Sequence, residues 1–455
     1  MRRLSLENII PAVHGSYHGD SALLCREVSF IVTNSLDAGA DCLFAAIKGD
    51  HTDGHRYIND AFEAGALCVI AERLPENPAG AVIIVRSTEE ALRELAAFYR
   101  MQFNIPVLGI TGSVGKTTTK EMAASVLSQR LNTLKTEKNF NNELGVPFTI
   151  FRLRDEHELA VVEMGINHFG EMRRLTHTAM PDMALFTNIG FSHLEFLGNR
   201  EGVLKAKSEM LEGMPESGVV FINGDDDLLS EMDCRGMKRV VFGTTEDCDV
   251  RAENLELLGV RGSVCDIVSG ERRISAKITA FGAHMVYAAL AGAAVGLQMG
   301  LTDNEISAGI LEYEPVDGRS SVIETEYCII IDDCYNSNPS SVLSGIQSME
   351  AMQGRKVCIL GDMLELGESA DGLHYSVGKA AAEEGVDLVL TCGEFSQQVC
   401  EGVRGVSSKT ASWSFPGKEE LIAMLPRMIE KGDAVLVKAS HSIKFDDIVN
   451  ALKEL

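Results

Sequence analysis

Short apolar runs recur along the chain, separated by stretches in which apolar residues fall at helical spacing. Near the N-terminus the runs are Cys42–Ile47, Cys68–Ile70 and Ala81–Val85, and Tyr57–Ala64 and Glu89–Met101 carry helical patterns among them. Asn104-Ile-Pro106 makes a plausible joint, because the residue before a proline avoids the helical conformation. Beyond it, strand-like runs at Leu159–Glu163, Met183–Asn188, Val219–Ile222 and Val240–Phe242 again alternate with helices. Such alternation predicts a mainly parallel sheet covered on both faces. Asp247 to Ala280 reads as antiparallel strands with Gly259 and Gly262 at a turn, and Gly282–Gly300 as a close-packed buried helix rather than a membrane span. From Glu314-Pro-Val-Asp-Gly-Arg319 onward the alternation returns, with strands at Cys328–Ile331, Lys356–Leu360, Leu388–Thr391 and Ala434–Val437. The expected fold is α/β in three domains, over residues 1–104, 105–313 and 314–455.

One junction in this pattern carries chemistry. The apolar strand at Val107 runs into Thr111-Gly112-Ser113-Val114-Gly115-Lys116-Thr117-Thr118, and a helix follows with Met122, Ala123, Val126 and Leu127. Glycines let the backbone curl so that successive N–H groups and the helix N-terminus face a polyphosphate. Lys116 is placed to reach the β and γ phosphates, and the Thr117 hydroxyl to hold Mg²⁺. The strict spacing wants glycine at position 110, where Ile110 stands; the nearest upstream glycine is Gly109, so the loop is a variant.

Composition narrows the partners. Lys and Arg number 41 against 66 Asp and Glu, a net charge of −25 that argues against nucleic acid and anionic membranes. An anionic nucleotide must then be held by local donors and metal. Eleven cysteines without a CxxC pair fit free thiols in a reducing compartment. Arg2 and Arg3 are followed by Glu7 and Asn8, which interrupt any apolar region and argue against a signal peptide. A cytoplasmic monomer with no membrane insertion is the expectation.

Polar clusters sit where the strands end. Glu163, after Leu159–Val162, is placed to coordinate Mg²⁺, against the plainer reading of a solvated loop acid. TNIGFSHLEFLG brings Asn188, His193 and Glu195 after another strand, although a lone histidine is more often structural. Lys205 and Lys207 share a helix, where lysines are usually solvated. Thr136, Asn139, Asn141 and Asn142 form a polar loop suited to substrate oxygens or simply an Asn-rich turn. The third unit offers Arg319, then Asp332, Asp333, Tyr335, Asn336 and Asn338, then Asp362 and Glu365, then Lys438, Ser440 and His441. An acidic pair after a buried strand is costly without a task or a partner. Two such units, only one with a phosphate loop, suggest a cleft in which one binds ATP and the other closes over it with Arg319 and a second substrate.

GSVGKTTTKEM, followed by KNFNNELGVP, EMGINHFGEM, SHLEFLG and GDMLELGE, resembles the Mur ligases, from LFAAIKGDHTDGHRYINDAFEAGA to VLVKASHSIKFDDIV. Within that family the motifs are similar to the branch that joins D-alanyl-D-alanine to UDP-N-acetylmuramoyl-tripeptide. The branch that adds the third amino acid would carry a DNPR-like motif, which is not seen, and folylpolyglutamate synthase should lack the N-terminal unit. The resemblance implies an N-terminal domain for the UDP end of the substrate, a central ATP domain and a Rossmann-like C-terminal domain. It implies ATP and Mg²⁺, and an acyl phosphate attacked by the dipeptide amine in peptidoglycan synthesis.

By the same resemblance Lys116, Glu163, His193 and Lys207 are catalytic, and Thr117, Glu163, His193 and Lys207, if carbamylated, are metal ligands. Thr111–Thr118, Arg319, Asp333 and Asn336 would bind ATP, and Ser35, Asn139, Asn141 and Asn142 the other substrates. There are departures. Ala288 stands where an asparagine usually faces adenine, a loss of about 1 kcal/mol for one hydrogen bond. TNSLDAG has Asn34 and Leu36 in place of a DSR-like run, and VKASHS puts His441 where an arginine is usual. Another amino-acid-adding member of the fold, or a phosphate-loop ATPase that switches a partner, are the competing readings.

Overall fold

The computed structural model describes residues 4–49, 52–406 and 409–455; Arg2, Arg3 and the Asp50-His51 pair of the quoted N-terminal motif lie outside the described residues. Three sheets organise the core, each packed on both faces. The first has five strands in the order Ser16–His18, Ala81–Ile84, Cys68–Ala71, Leu43–Ala45 and Ile31–Val32, parallel except for the first pair. Helix Thr88–Arg100, capped at Ser87 by the Glu90 N–H, leads out of it.

The middle sheet has nine strands, in the order Arg272–Ile278, Ser263–Ser269, Val250–Leu257, Lys238–Gly243, Val219–Asn223, Met183–Phe186, Val107–Thr111, Leu159–Glu163 and Thr133–Lys135. Val107–Thr111 lies inside, buried on both faces, which is why it reads as a continuous apolar run. Two helices, Lys116–Leu127 and Met285–Gln298, cover one face, and small residues let neighbours come close to them. A Cβ at Gly309 would stand 2.4 Å from Val126 Cα, and one at Gly292 would stand 3.2 Å from Met122 Cγ. The hairpin through Gly259 (φ 62°) and Gly262 (φ 86°) is antiparallel, as expected. Its first strand, Val250–Leu257, also pairs in parallel with Lys238–Gly243, so the hairpin extends the parallel sheet rather than standing apart from it.

The third sheet runs Ser321–Glu324, Ile329–Asp332, Ala434–Lys438, Lys356–Leu360, Leu388–Cys392 and Ala411–Phe415, with only the first pair antiparallel. Among the strands that apolar runs do not reveal, Thr133–Lys135, Ser321–Glu324 and Ala411–Phe415 lie at sheet edges. Half-exposed there, they need no unbroken apolar run. Ten cysteines pack inside as free thiols, and burial pushes Cys68 and Cys358 up to about 12. They behave as core residues, not nucleophiles. Among the described residues no helix is long and apolar enough to cross a membrane.

Candidate active site

The C-terminal ends of the middle and third sheets open on one cavity of about 750 Å³. Its floor is the phosphate loop. Gly112 holds φ 152°, and a Cβ there would meet Thr187 Oγ1 at 1.9 Å; Gly115, at φ 80°, starts helix Lys116–Leu127. Asn188 shapes the loop from the next strand: its Oδ1 accepts from Val114 N (2.9 Å) and its Nδ2 donates to Val114 O (3.0 Å). Lys116 Nζ donates to Gly112 O at 2.9 Å, and burial pulls its pKa down, against the pull of Glu163. Ser113 to Thr118 line the cavity. Thr111 and Gly112 do not; Thr111 is a wholly buried strand residue.

Glu163 is 1% exposed at the end of its strand. Its Oε1 accepts from Asn141 Nδ2 (2.7 Å) and Thr117 Oγ1 (3.2 Å), while its Oε2 is buried with no partner. A buried carboxylate oxygen left unpaired is costly, and a cation beside Thr117 is what would satisfy it. The residues present therefore fit a hard divalent ion. Among the described residues no three His, Cys, Asp or Glu side chains cluster as a ready metal cage, so phosphate and water oxygens would complete the coordination.

His193 also lines the cavity, but its Nδ1 meets Glu365 Oε2 at 2.5 Å, across to the third unit. Lys207 is 1% exposed, not solvated like the exposed Lys205 of the same helix. Desolvation, with Lys116 nearby, drives its pKa well below the usual lysine range. Of the Asn-rich loop, Asn139, Asn141 and Asn142 all line the cavity, and Asn142 Oδ1 also accepts from Leu144 N (3.2 Å) and Gly145 N (2.8 Å) at the start of helix Gly145–Ile150. Ser35 is remote from this cavity, in a turn of the first unit capped by Asn34.

The third unit forms the opposite wall. Arg319 Nη2 donates to Thr117 Oγ1 at 3.4 Å, its guanidinium lies 3.9 Å over the Tyr335 ring, and its Nε is buried without a partner. Asp333 accepts from Ser320 N (3.1 Å) and from the buried Lys438 Nζ, which also donates to Asn336 O (3.1 Å). Asp332, one residue earlier, points elsewhere, and burial raises its carboxyl. Ser340 Oγ comes so close to Gly190 that a Cβ there would stand 2.6 Å away.

The three regions match, in order, the models of the Mur ligase family catalytic domain (residues 27–100), the Mur ligase middle domain (110–296) and the Mur ligase glutamate ligase domain (318–441). The UDP-N-acetylmuramoyl-tripeptide–D-alanyl-D-alanine ligase of Bacillus subtilis is 35% identical, with 90% of each chain covered. The chain belongs to the Mur ligase family. A MurF crystal structure from Acinetobacter baumannii superposes with a TM-score of 0.93 at 31% identity, covering 99% of both chains. A MurF ligase from Thermotoga maritima, solved in complex with ADP, gives 0.83 at 28% identity, covering 93% of this chain and 97% of that one.

Within this Mur ligase fold the far end of the cavity holds, beside Ala288, residues that the sequence did not single out. Tyr287 OH donates to Asp225 Oδ2 (2.9 Å), which also accepts from Thr244 N and Oγ1 (both 2.7 Å); burial and that carboxylate push the phenol up to about 12. Ala288 and the half-buried His284, whose Nδ1 is buried without a partner, line the same end. Asp225 stands past the end of strand Val219–Asn223, and Tyr287 one turn into a helix that reads as apolar. Only their meeting in space marks them.

Proposed function

We infer that this Mur ligase joins D-alanyl-D-alanine to the peptide carboxylate of UDP-N-acetylmuramoyl-tripeptide at the expense of ATP, giving the pentapeptide precursor of peptidoglycan. What carries this reading is the convergence, in one cavity, of the phosphate loop, the half-satisfied Glu163 and an arginine from the opposing unit. Domains 1–104, 105–313 and 314–455 then serve the UDP end of the substrate, the ATP and the closing ligase wall, with Ser35 in the first.

Loop N–H groups and Lys116 hold the polyphosphate, and Arg319 approaches from the third unit to offset charge on the γ-phosphoryl group. Thr117, Glu163, His193 and Lys207 are the residues that would hold Mg²⁺. When bound, that ion neutralises charge on the transferring phosphoryl group. Lys207 needs a neutral amine to take up CO₂, with loss of a proton, and its burial supplies one. As a carbamate it becomes an anion near Lys116 of the phosphate loop. Transfer to the peptide carboxylate gives an acyl phosphate; the dipeptide amine attacks it, and phosphate leaves. Asn139, Asn141 and Asn142 flank the acceptor side, while Asp333 and Asn336 approach the nucleotide through the Lys438 network. The enzyme is read as a cytoplasmic monomer, where its nucleotide substrates are made.

Phosphate release is the test. It should require both the UDP-tripeptide and D-alanyl-D-alanine; release with ATP alone, indifferent to either substrate, overturns the reading and favours an ATPase switch.

A further inference from the structure

We propose that Glu365 is a positioning residue that orients His193, and that it does so only while the third unit is closed on the middle one. His193 follows the strand Met183–Phe186 of the middle sheet, and Glu365 follows Lys356–Leu360 of the third. Their 2.5 Å contact joins the two walls of the cavity. A carboxylate only accepts, so Nδ1 carries a proton, and in the neutral ring Nε2 then keeps its lone pair. That is the tautomer a metal or phosphate site needs from Nε2.

The backbone on both sides is built for this contact. His193 has φ 54° and Glu365 φ 61°, two non-glycine residues in the left-handed region at the two ends of one hydrogen bond. Such conformations persist where surrounding contacts over-determine them. The surroundings do so here. His193 O accepts from Phe196 N (3.1 Å) and Leu197 N (3.0 Å), and Leu364 N donates to Ser440 Oγ (3.1 Å). Gly367, at φ 57°, lets the third unit's loop run beside Glu195, where a Cβ would stand 3.5 Å from Glu195 Cα. With the units apart, His193 loses its hydrogen bond to Glu365 and its ring is free to take the other tautomer or rotate. Closure therefore completes the site, and phosphoryl transfer in the open form is suppressed.

The inference rests on the reading of His193 as a ligand, so two variants separate the claims. Mn²⁺ affinity is measured by electron paramagnetic resonance on the full-length protein loaded with a non-hydrolysable ATP analogue, and the His193 tautomer by ¹⁵N NMR. Glu365→Ala should weaken Mn²⁺ binding about 10–100-fold, shift His193 toward the Nε2–H form, and lower kcat with little change in KM for ATP. Glu365→Gln, which keeps an acceptor oxygen, should recover most of the affinity and guards against a folding artefact. Adding Glu365→Ala to His193→Ala should cost nothing more. If His193→Ala weakens Mn²⁺ binding and Glu365→Ala does not, or if the two losses multiply, the positioning role is overturned. If His193→Ala leaves the affinity unchanged, the ligand reading beneath it fails instead.

Discussion

Two lysines are buried almost equally, Lys438 lining the cavity and Lys207 near the loop's Lys116 but not among the lining residues, and their surroundings differ. Lys438, on the third unit, is 2% exposed and paired with Asp333, with Asn336 O as a further acceptor. Lys207, on the middle unit, is 1% exposed with another cation, Lys116, near it, and its amine is driven toward the neutral form. A buried ion pair is a fixture whose disruption leaves a stranded charge. A buried lysine without a carboxylate is a reactive amine held at a cost in stability. The third unit thus supplies a rigid electrostatic frame, and the middle unit carries the strained chemistry.

Substitutions test that contrast, beginning with the largest effect. Lys116→Ala removes the loop's cation and should lower kcat for phosphate release about 1,000-fold, without unfolding the chain. An active variant would mean that the phosphate loop is not where transfer occurs. Lys438→Met strands Asp333 and should destabilise by about 3–5 kcal/mol, read as a lower midpoint in urea. An unchanged midpoint would make the frame dispensable.

Lys207→Met should do the reverse, abolishing activity while raising the melting temperature. The sign follows from linkage. The native-state amine has a depressed pKa, so the unfolded chain binds more protons and wild-type stability falls as pH drops from about 10.4 toward the native value. The advantage of Lys207→Met should widen over that interval and level off below it. A constant difference with pH would show that Lys207 is charged in the native state. Lys207→Ala, if the carbamate reading holds, should regain some activity with a short-chain acid; failure of both bicarbonate and such acids to restore it removes the support. The smallest effect is expected from Tyr287→Phe. Losing one hydrogen bond to Asp225 costs about 1 kcal/mol, a rise in KM for ATP of about five-fold, with kcat preserved.

The buried strands were legible because each is apolar on both faces, and Val107–Thr111 and Ile329–Asp332 stand where their runs predicted them. Edge strands such as Thr133–Lys135 and Ala411–Phe415 were not, since their half-exposed positions carry no unbroken pattern. At the site, Lys116, Thr117 and Glu163 came from a local motif and from the end of a strand, and they meet in space. Lys207 reads as a solvated helix lysine until the fold buries it. Asp225 belongs to a segment with no motif, Tyr287 stands beside Ala288 in an apolar helix, and their hydrogen bond crosses 62 positions of chain.

Chain order alone therefore determined the α/β alternation, the phosphate loop and the membership of the Mur ligase family, because helix and strand periodicity and glycine geometry act within a few residues. It left open what each polar strand end faces. Tertiary packing decided that: it left Glu163 Oε2 without a partner, stripped water from Lys207 and set His193 against Glu365. Desolvation and pairing depend on what lies across the cavity, and no local pattern in the sequence records that distance.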